Sequence, residues 1–287
     1  MYGQKLGISI SNMWAEFWQK DIRDIIKIIK ETGFDAVSPS CAGGWEDEKI
    51  ISAARENGLI LQSLHAPYRG AGVIWGEDKT EAESALKKLL LSLEDARRYG
   101  IPVLVVHPWY GFGTVPAPTE SGLKNFEILV NIAAKYGVKI AFENIESDVH
   151  LEKVEKHFDT CDNVGFCWDS GHEMCYSASR DMLGLFGKKL IMTHLNDNLG
   201  ISRSDGKIFW TDDLHLLPFD GAADWNYNVK RLKECPRQEI LNFELNVTSR
   251  PNRHENDAYS KMTTEEYFTE AYKRACKIAH LMLYKAY

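Results

Sequence analysis

The sequence of 287 residues lacks the features of membrane, exported and fibrous proteins. It has no apolar run that approaches the ~18–20 residues needed to span a bilayer, so we expect no membrane segment. Its first residues lack a basic segment followed by an apolar stretch, so we expect no secretory signal and a cytoplasmic location. Glycine (21) and proline (9) are too few for a low-complexity chain. With 44% hydrophobic residues, the chain can instead bury a full core.

Excess basic charge and closely spaced cysteines are also lacking. The chain has 34 Lys and Arg residues against 41 Asp and Glu residues, a net charge of −7. Because nucleic-acid-binding proteins usually carry a basic footprint, we expect no nucleic-acid partner. No Cys-x-x-Cys pair supports a thiolate zinc site, and reduced thiols are expected. The six cysteines are Cys41, Cys161, Cys167, Cys175, Cys235 and Cys276.

What the chain does have is a regular alternation of two patterns. Short runs rich in Ile, Val, Leu and Phe predict strands covered on both faces, at 5–10, 34–40, 59–67, 101–108, 138–145, 163–170, 189–197 and 239–246. Helical spacing of apolar residues predicts helices between them, near 22–32, 46–57, 82–96, 123–133, 151–158, 174–186, 224–234 and 264–284. Eight strand–helix units in this order predict an α/β fold, a closed (β/α)₈ TIM barrel. No Pro- or Gly-rich linker divides the chain, so residues 1–287 are expected to form a single domain.

Ligand-type side chains follow the ends of six consecutive predicted strands. The carboxyl ends of barrel strands converge on one mouth, so these side chains are expected to meet there. Carboxylates are costly to bury unpaired, and several at one mouth require a neutralising cation. A mixed set of carboxylates and imidazoles suits manganese, zinc, iron or cobalt. The candidates are His65, His107, Glu143, Asp169, His172, His194, Asp213, His215 and Glu244.

Five segments around these residues resemble the xylose isomerase-like TIM-barrel superfamily. They are FENIE, WDSGH, THLNDN, DLHLLPFDGAADW and FELN, and the similarity extends from Ile8 to the final predicted helix. The superfamily contains sugar isomerases, ketose 3-epimerases, inosose dehydratase-like enzymes and abasic-site nucleases of the endonuclease IV type. The resemblance implies a metal-dependent isomerase or epimerase of a small-molecule sugar or polyol. It leaves the oligomeric state open, a homo-oligomer included.

The epimerase-like pattern of this superfamily implies one divalent metal on Glu143, Asp169, His194 and Glu244. It also implies that the two glutamates act as acid and base and that His172 touches the substrate. In such chemistry the metal polarises a carbonyl and its neighbouring hydroxyl, and the proton between them moves through a cis-enediolate. His65, His107 and His215 would then hydrogen-bond substrate hydroxyls.

The nuclease-like pattern implies three zinc ions instead. It adds His65 and His107 beside Glu143, and a further cluster of His172, Asp213 and His215. The sequence departs from that pattern after Glu143, where NIESD replaces a glycine-rich segment, and after His65, where APYRGAG replaces a polar one. A third alternative is a dehydratase of the keto-inositol type, which uses the same metal and the same enolisation.

Aromatic and basic residues are expected at the rim of the mouth. Trp14 and Trp109 are candidates for stacking on the apolar face of a sugar, as are Trp75, Tyr110 and Phe112. Arg203, Arg250 and Arg253 follow the seventh and eighth strands, where barrels often bind phosphate. Arg203 is the candidate substrate-binding residue among them, which keeps a phosphorylated substrate open.

Overall fold

The computed structural model describes residues 3–40, 45–178 and 180–284, without the side chains of residues 45–47. Cys41 lies outside the described residues, and the other five cysteines are free. Within these ranges the strands are β1 (Lys5–Ile10), β2 (Ala36–Pro39), β3 (Ile60–Leu61), β4 (Leu64–His65), β5 (Val103–Val106), β6 (Lys139–Glu143), β7 (Val164–Asp169), β8 (Leu190–His194) and β9 (Ile240–Phe243). The helices are α1 (Met13–Trp18), α2 (Ile22–Thr32), α3 (Trp45–Glu56), α4 (Lys79–Arg98), α5 (Glu120–Tyr136), α6 (Asp148–His157), α7 (Ser170–Cys175), α8 (Met182–Phe186), α9 (Trp225–Glu234) and α10 (Thr264–Leu283).

The strands form two parallel sheets, in the orders β3-β2-β1-β9 and β4-β5-β6-β7-β8. The sheets meet at two seams, where Ser40 pairs with His65 and Leu195 pairs with Phe243. At the second seam the Leu195 amide donates to the Asn242 carbonyl at 2.9 Å. The predicted third strand, 59–67, is therefore two short strands, one in each sheet. The nine strands close one barrel, and the (β/α)₈ prediction is confirmed.

Helix ends follow the local sequence signals. The Asp21 carboxylate accepts the Arg23 amide at the start of α2, and Gly33 ends that helix at φ 117°. Only a residue without a side chain adopts such a left-handed conformation readily. Thr263 and Glu266 form a reciprocal capping box at the start of α10. These caps fix where the outer helices begin, and their buried faces cover the barrel.

The barrel interior beneath the mouth is apolar on the side formed by β5 to β8. Its buried cluster consists of Val103, Val105, Ala141, Cys167 and Met192. Successive side chains of a strand alternate between its two faces. The residues two positions beyond four members of this cluster therefore point to the same interior, one layer higher. They are His107, Glu143, Asp169 and His194.

One predicted helix is wrong, and one helix was not predicted. The predicted helix at 174–186 is wrong, because α7 begins directly after β7 at Ser170 and α8 begins only at Met182. The loop after β1 contains α1, whose six residues are too few to show helical periodicity in a sequence. No helix among the described residues is long and apolar enough to cross a membrane.

Candidate metal centre

Four ligand-type side chains converge at the carboxyl ends of β6, β7, β8 and β9. Each of Glu143, Asp169, His194 and Glu244 offers an atom within 4.8 Å of the others. Parallel pairing sets this arrangement, since Asp169 lies opposite His194 in the β7–β8 register. Glu143, Asp169 and His194 are buried, whereas the Glu244 side chain is 21% exposed. Glu244 is thus the member of the four that is open to solvent.

Glu143 is the centre of this group. Its Oε1 lies 2.9 Å from Nδ1 of His194, and its Oε2 lies 3.2 Å from Nε2 of both His65 and His107. Burial by itself would raise the pKa of Glu143, but His194 and His107 outweigh it and hold that pKa well below its usual range. With His172 Nδ1 at 3.5 Å from Oε1, this buried carboxylate is surrounded by four imidazole rings. Such an arrangement keeps the carboxylate ionised and able to bind a cation.

His194 lies between the two glutamates. Its Nδ1 is 2.9 Å from Glu143 Oε1 and 3.1 Å from Glu244 Oε2. Burial alone would lower the pKa of His194, but Cys167 and the two carboxylates raise it well above its ordinary value. The pKa of Glu244 is lowered to about 2, because the attraction of His194 exceeds the effect of burial. The two carboxylates thus favour the charged form of the His194 imidazole.

Asp169 is held in place by two amide side chains that sequence reasoning missed. Asn196 Nδ2 donates to Asp169 Oδ2 at 2.9 Å, and the Asn144 side chain both donates to the Asp169 carbonyl and accepts its amide at 2.8 Å. Gly171 packs on Asn196 so closely that an added Cβ would lie 1.9 Å from Oδ1. The sequence signal for these two partners was their position: Asn144 lies one residue after Glu143, and Asn196 lies two residues after His194. Such partners orient the ligands of a metal.

A second cluster of His172, His215 and Asp213 adjoins the first through Asp169. Nε2 of His215 and Nε2 of His172 lie 2.9 and 3.5 Å from Asp213 Oδ1. Asp169, His172 and His215 also have ligand atoms within 4.8 Å of one another. Burial would lower the pKa of His215, but Asp213 and other carboxylates raise it to about 9.

The donor set fits a divalent cation. Among the described residues, no lysine or arginine forms an ion pair with Glu143, Asp169 or Glu244, so imidazoles alone balance these buried carboxylates. Removing carboxylates from water without a compensating charge is costly. Oxygen and imidazole donors at one point are the chemistry that borderline divalent metals prefer. Glu143, Asp169, His194 and Glu244 are the residues that would hold it.

Two predicted rim residues lie elsewhere than expected, and a third is exposed but paired. Trp14 is buried in the core, with its ring 5.0 Å from that of Phe268 in α10. Trp109 stacks on His150 at 4.4 Å and is only 8% exposed. Arg203 forms a two-pronged ion pair with Asp205. The stacking prediction for both tryptophans is therefore wrong, because their rings are covered by protein, and the Arg203 guanidinium is already paired.

The arginines after β9 are also engaged. Arg250 donates to Asp213 Oδ2 at 2.8 Å, and Arg253 donates to Asp212 Oδ1 at 2.7 Å. Both contacts join the loop after β9 to the loop after β8. These two cations therefore hold the mouth in shape, and both are already paired with carboxylates of the protein.

A family model described as a xylose isomerase-like TIM barrel matches residues 26–280. The chain belongs to this family. An uncharacterized protein of Sinorhizobium fredii is 26% identical over 265 residues, which cover 79% of this chain and 82% of that protein. The inosose isomerase of Bacillus subtilis is 30% identical over 177 residues, which cover 55% of this chain and 59% of that enzyme.

Solved structures share the fold at low identity. The IolI protein with a bound zinc atom superposes with a TM-score of 0.74 at 18% identity, covering 95% of this chain and 97% of that one. A D-tagatose 3-epimerase-like protein gives a TM-score of 0.68, also at 18% identity, over 96% of this chain and 99% of the other. The proteins that resemble this chain thus include an inosose isomerase by sequence and, by fold, a D-tagatose 3-epimerase-like protein and a protein with bound zinc.

Proposed function

We propose that the protein is a divalent-metal-dependent isomerase or epimerase of a keto-sugar or keto-polyol. The observation that carries this proposal is the convergence of Glu143 and Glu244 on His194, at 2.9 and 3.1 Å. Two carboxylates from separate strands lie at one point, beside donors suited to a metal. The inosose isomerase relatives support a substrate with a carbonyl next to a hydroxyl-bearing carbon.

The two glutamates form the acid–base pair. Glu244, the solvent-accessible one, takes the proton from the carbon beside the substrate carbonyl. Glu143 receives a proton from His65, whose Nε2 lies 3.2 Å from its Oε2, and returns it to carbon, while Glu244 releases its proton to solvent. Return to the opposite face of the same carbon gives epimerisation. Return to the neighbouring carbon, with the hydroxyl proton passing to the former carbonyl oxygen, gives isomerisation. A bound divalent cation acts as a Lewis acid and makes that proton more acidic. His65, His107 and His172 lie around the carboxylates and bind substrate hydroxyls.

Proton exchange with deuterated water tests this proposal. Protein loaded in turn with Mn²⁺, Co²⁺, Zn²⁺ or Fe²⁺ is incubated with a panel of ketoses and inososes, and deuterium incorporation is followed by NMR. We expect exchange at the carbon beside the carbonyl and formation of an isomer or epimer. Loss of a hydroxyl instead would identify a dehydratase, and no exchange with any panel member would contradict the proposal.

Glu244→Gln is the decisive variant. Glutamine keeps an oxygen donor but cannot accept the substrate proton, so exchange should be lost while much of the metal is retained. Glu239→Gln is the matched control, because Glu239 is exposed at the opposite end of β9. A Glu244→Gln variant that exchanges at the parental rate would refute the acid–base role.

A trinuclear zinc phosphodiesterase acting on abasic DNA is the second candidate. It is favoured by the further ligand groups, His65 and His107 at Glu143 and His172, His215 and Asp213 beside Asp169. Zinc stoichiometry and incision of a duplex with an abasic site distinguish the two. One equivalent without incision supports the isomerase; three equivalents with efficient incision would replace it.

A further inference from the structure

Three large aromatic side chains around the mouth are exposed to solvent, and the proposed chemistry does not use them. Tyr68 is 38%, Phe209 44% and Trp210 37% exposed. Tyr68 follows β4, and the other two lie in the long loop between β8 and α9. A single apolar side chain on a surface is ordinary, whereas a contiguous group of them marks a surface that a ligand or partner covers.

Ring contacts join these side chains into one continuous row. The ring centroids of Tyr68 and Tyr110 lie 5.1 Å apart, and Phe112 lies 6.1 Å from Tyr110. Phe209 lies 6.1 Å from Phe112, and Trp210 lies 6.2 Å beyond Phe209. Rings at these separations are in ordinary aromatic contact. We refer to these five side chains, from Tyr68 to Trp210, as the aromatic row.

The inner end of the aromatic row adjoins the metal centre, and the outer end does not. The Tyr68 ring stacks on His107, with centroids 5.1 Å apart and planes inclined by 25°. Nε2 of His107 in turn lies 3.2 Å from Glu143. Within the part of the chain that the structure describes, no ring contact joins Phe209 or Trp210 to a histidine. The row therefore begins beside the proposed reacting centre and extends past it.

Buried polar contacts hold the outer end of the row in place. Asp212, two residues after Trp210, is fully buried, and its Oδ1 accepts the Arg253 guanidinium at 2.7 Å. Its Oδ2 accepts the Ser202 amide at 3.1 Å, and its own amide donates to the Phe209 carbonyl at 3.0 Å. A surface that is fixed before binding loses little entropy when a ligand arrives. The exposed rings are thus displayed by an anchored loop.

We propose that Phe209 and Trp210 bind a second ring, which is joined by a glycosidic bond to the keto-sugar or keto-polyol unit at the metal centre. The substrate class is then a glycoside of that unit, and not the free monosaccharide or cyclitol. This inference rests on the proposed function. A single ring at the metal centre adjoins Tyr68, whereas the outer rings require a ligand that extends further along the row. The second ring is a sugar or an aryl group, since both present a face that stacks on aromatic side chains.

The charges of the neighbouring loops favour an uncharged second ring over a nucleotide. A nucleobase also stacks on aromatic rings, but its phosphates need cationic partners. The three arginines of the loops after β8 and β9 are each paired with a carboxylate at 2.7–2.9 Å, as Arg203–Asp205, Arg250–Asp213 and Arg253–Asp212. A phosphate would have to break one of these pairs.

Tyr136 provides a matched control for the exposed rings. It is 39% exposed, close to the values for Tyr68 and Trp210. It is the last residue of α5, which leads into the amino end of β6, so it lies at the opposite end of the barrel from the mouth. Tyr136→Ala therefore removes an exposed ring without changing the aromatic row.

The test measures binding to metal-loaded protein by calorimetry, with probes that share one glucosyl unit. Methyl β-D-glucoside carries no second ring, phenyl β-D-glucoside carries an aryl ring, and cellobiose carries a second sugar. Methyl α-D-glucoside, phenyl α-D-glucoside and maltose form the same series with the other linkage. We expect a ring-bearing probe to bind roughly tenfold tighter than the methyl glucoside of its linkage, as for one stacked ring. The probe that gains affinity identifies the second ring as aryl or sugar.

The variants locate this gain on the outer rings. Trp210→Ala and Phe209→Ala should reduce the ratio of the two affinities several-fold, whereas Trp210→Phe and Phe209→Tyr, which keep a ring, should retain most of it. Tyr136→Ala should give the parental ratio. The ring-bearing probe should also change the tryptophan fluorescence of the parent, and this change should be smaller in Trp210→Phe. A general loss of structure would weaken all probes alike and leave the ratio unchanged.

Four results would overturn the inference. One is equal affinity of the parent for the methyl and ring-bearing probes of both linkages, or binding of none of them. Another is an equal loss of the ratio in Trp210→Ala and Tyr136→Ala. A third is tighter binding of UDP-glucose than of every uncharged probe, which would assign the row to a nucleotide. The fourth is a dimer of the parent that Trp210→Ala dissociates, since a second copy of the chain would then cover the rings.

Failure of the proposed function gives a different result. If the parent exchanges no proton with the ketoses and inososes, the isomerase proposal fails, and the glucoside affinities still decide the role of the aromatic row. If exchange occurs and the methyl, phenyl and glucosyl probes bind equally, the inference of a second ring alone fails.

Discussion

Two clusters of buried charge occur on either side of β7, and they are balanced in different ways. At the mouth, the only cationic side chains that face Glu143, Asp169 and Glu244 among the described residues are imidazoles. Behind the strand, Arg231 donates to Glu173 and to Asp181, each at 2.7 Å, and lies 5.4 Å from the Trp168 ring. The guanidinium keeps its charge at all ordinary pH values, whereas an imidazole can give up its proton.

The difference separates a structural ion pair from a site for a ligand. Glu173 also accepts the Trp168 indole N–H at 3.0 Å and the Met182 amide at 3.0 Å, so its oxygens are satisfied by fixed protein groups. At the mouth, protons on histidines occupy the place that a cation can take. Exchange of protons for metal is how such sites bind their ion.

Glu143→Ala should have the largest effect, because Glu143 belongs both to the group of four ligands and to the group that it forms with His65 and His194. We expect loss of bound metal and a fall in activity beyond the roughly 10–100-fold typical of losing an outer-shell partner. Metal analysis and the deuterium-exchange rate measure both. If the variant retained one equivalent of metal and the parental exchange rate, the carboxylates at the mouth would be structural, like those that pair with Arg231.

Glu173→Gln should damage stability and leave the metal in place. Removing one member of a buried pair leaves the other unpaired, which typically costs about 3–5 kcal/mol of the free energy of unfolding. Urea denaturation of metal-loaded protein measures this cost, with metal content as the second readout. Glu234→Gln, on the exposed end of α9, is the surface control. Loss of metal at unchanged stability would contradict this prediction, because it would assign Glu173 to the metal site and not to a structural ion pair.

Glu155 is an intermediate case, a buried carboxyl with a single lysine at 3.5 Å. Burial raises its pKa from 4.5 to about 7 in the folded chain. Its contribution to stability is therefore complete below pH 4.5 and is lost as the pH rises through 7, by roughly 3 kcal/mol. Glu155→Gln should remove this dependence, so the difference in unfolding free energy from the parent should grow in favour of the variant between pH 5 and pH 8. A constant difference across that range would contradict the assignment.

Metal removal should have the smallest of these effects on stability. A ligand present at about 100 times its Kd stabilises a folded protein by about 2.7 kcal/mol. For a chain of this size that corresponds to a Tm shift of several degrees. Differential scanning calorimetry with and without a chelator should show the shift in the parent and in Glu173→Gln, and its absence in Glu143→Ala. A shift that persists in Glu143→Ala would place the metal elsewhere.

The candidate ligands could be predicted because parallel strands bring their carboxyl ends together. His107, Glu143, Asp169 and His194 follow buried apolar runs at the same alternation, which is visible in the sequence. The exact ends of the strands are not visible in the sequence: the predicted strand 239–246 includes Glu244, whereas β9 ends one residue earlier, at Phe243. The convergence depends on topology, which the alternation of strands and helices specified.

The rim could not be predicted in the same way. Whether Trp14 faces solvent depends on the position of Phe268, 254 residues further along the chain, and no local pattern reports that contact. Arg250 and Arg253 are basic in sequence, but their partners Asp213 and Asp212 come from another loop. Helix α7 begins early because Asp169 also caps it, accepting the His172 amide at 2.7 Å. These features follow from tertiary packing, which composition and periodicity do not encode.

The two seams of the barrel give the metal centre a mechanical role. His65 lies at one seam, paired with Ser40, and His194 and Glu244 flank the Leu195–Phe243 pairing at the other. A cation bound by His194 and Glu244 would link the two sheets at a place where the strand ladder is short. The bound cation would therefore resist separation of β8 from β9. Hydrogen exchange of the Leu195 and Glu244 amides, which form this seam, should therefore slow more on metal binding than exchange within β6.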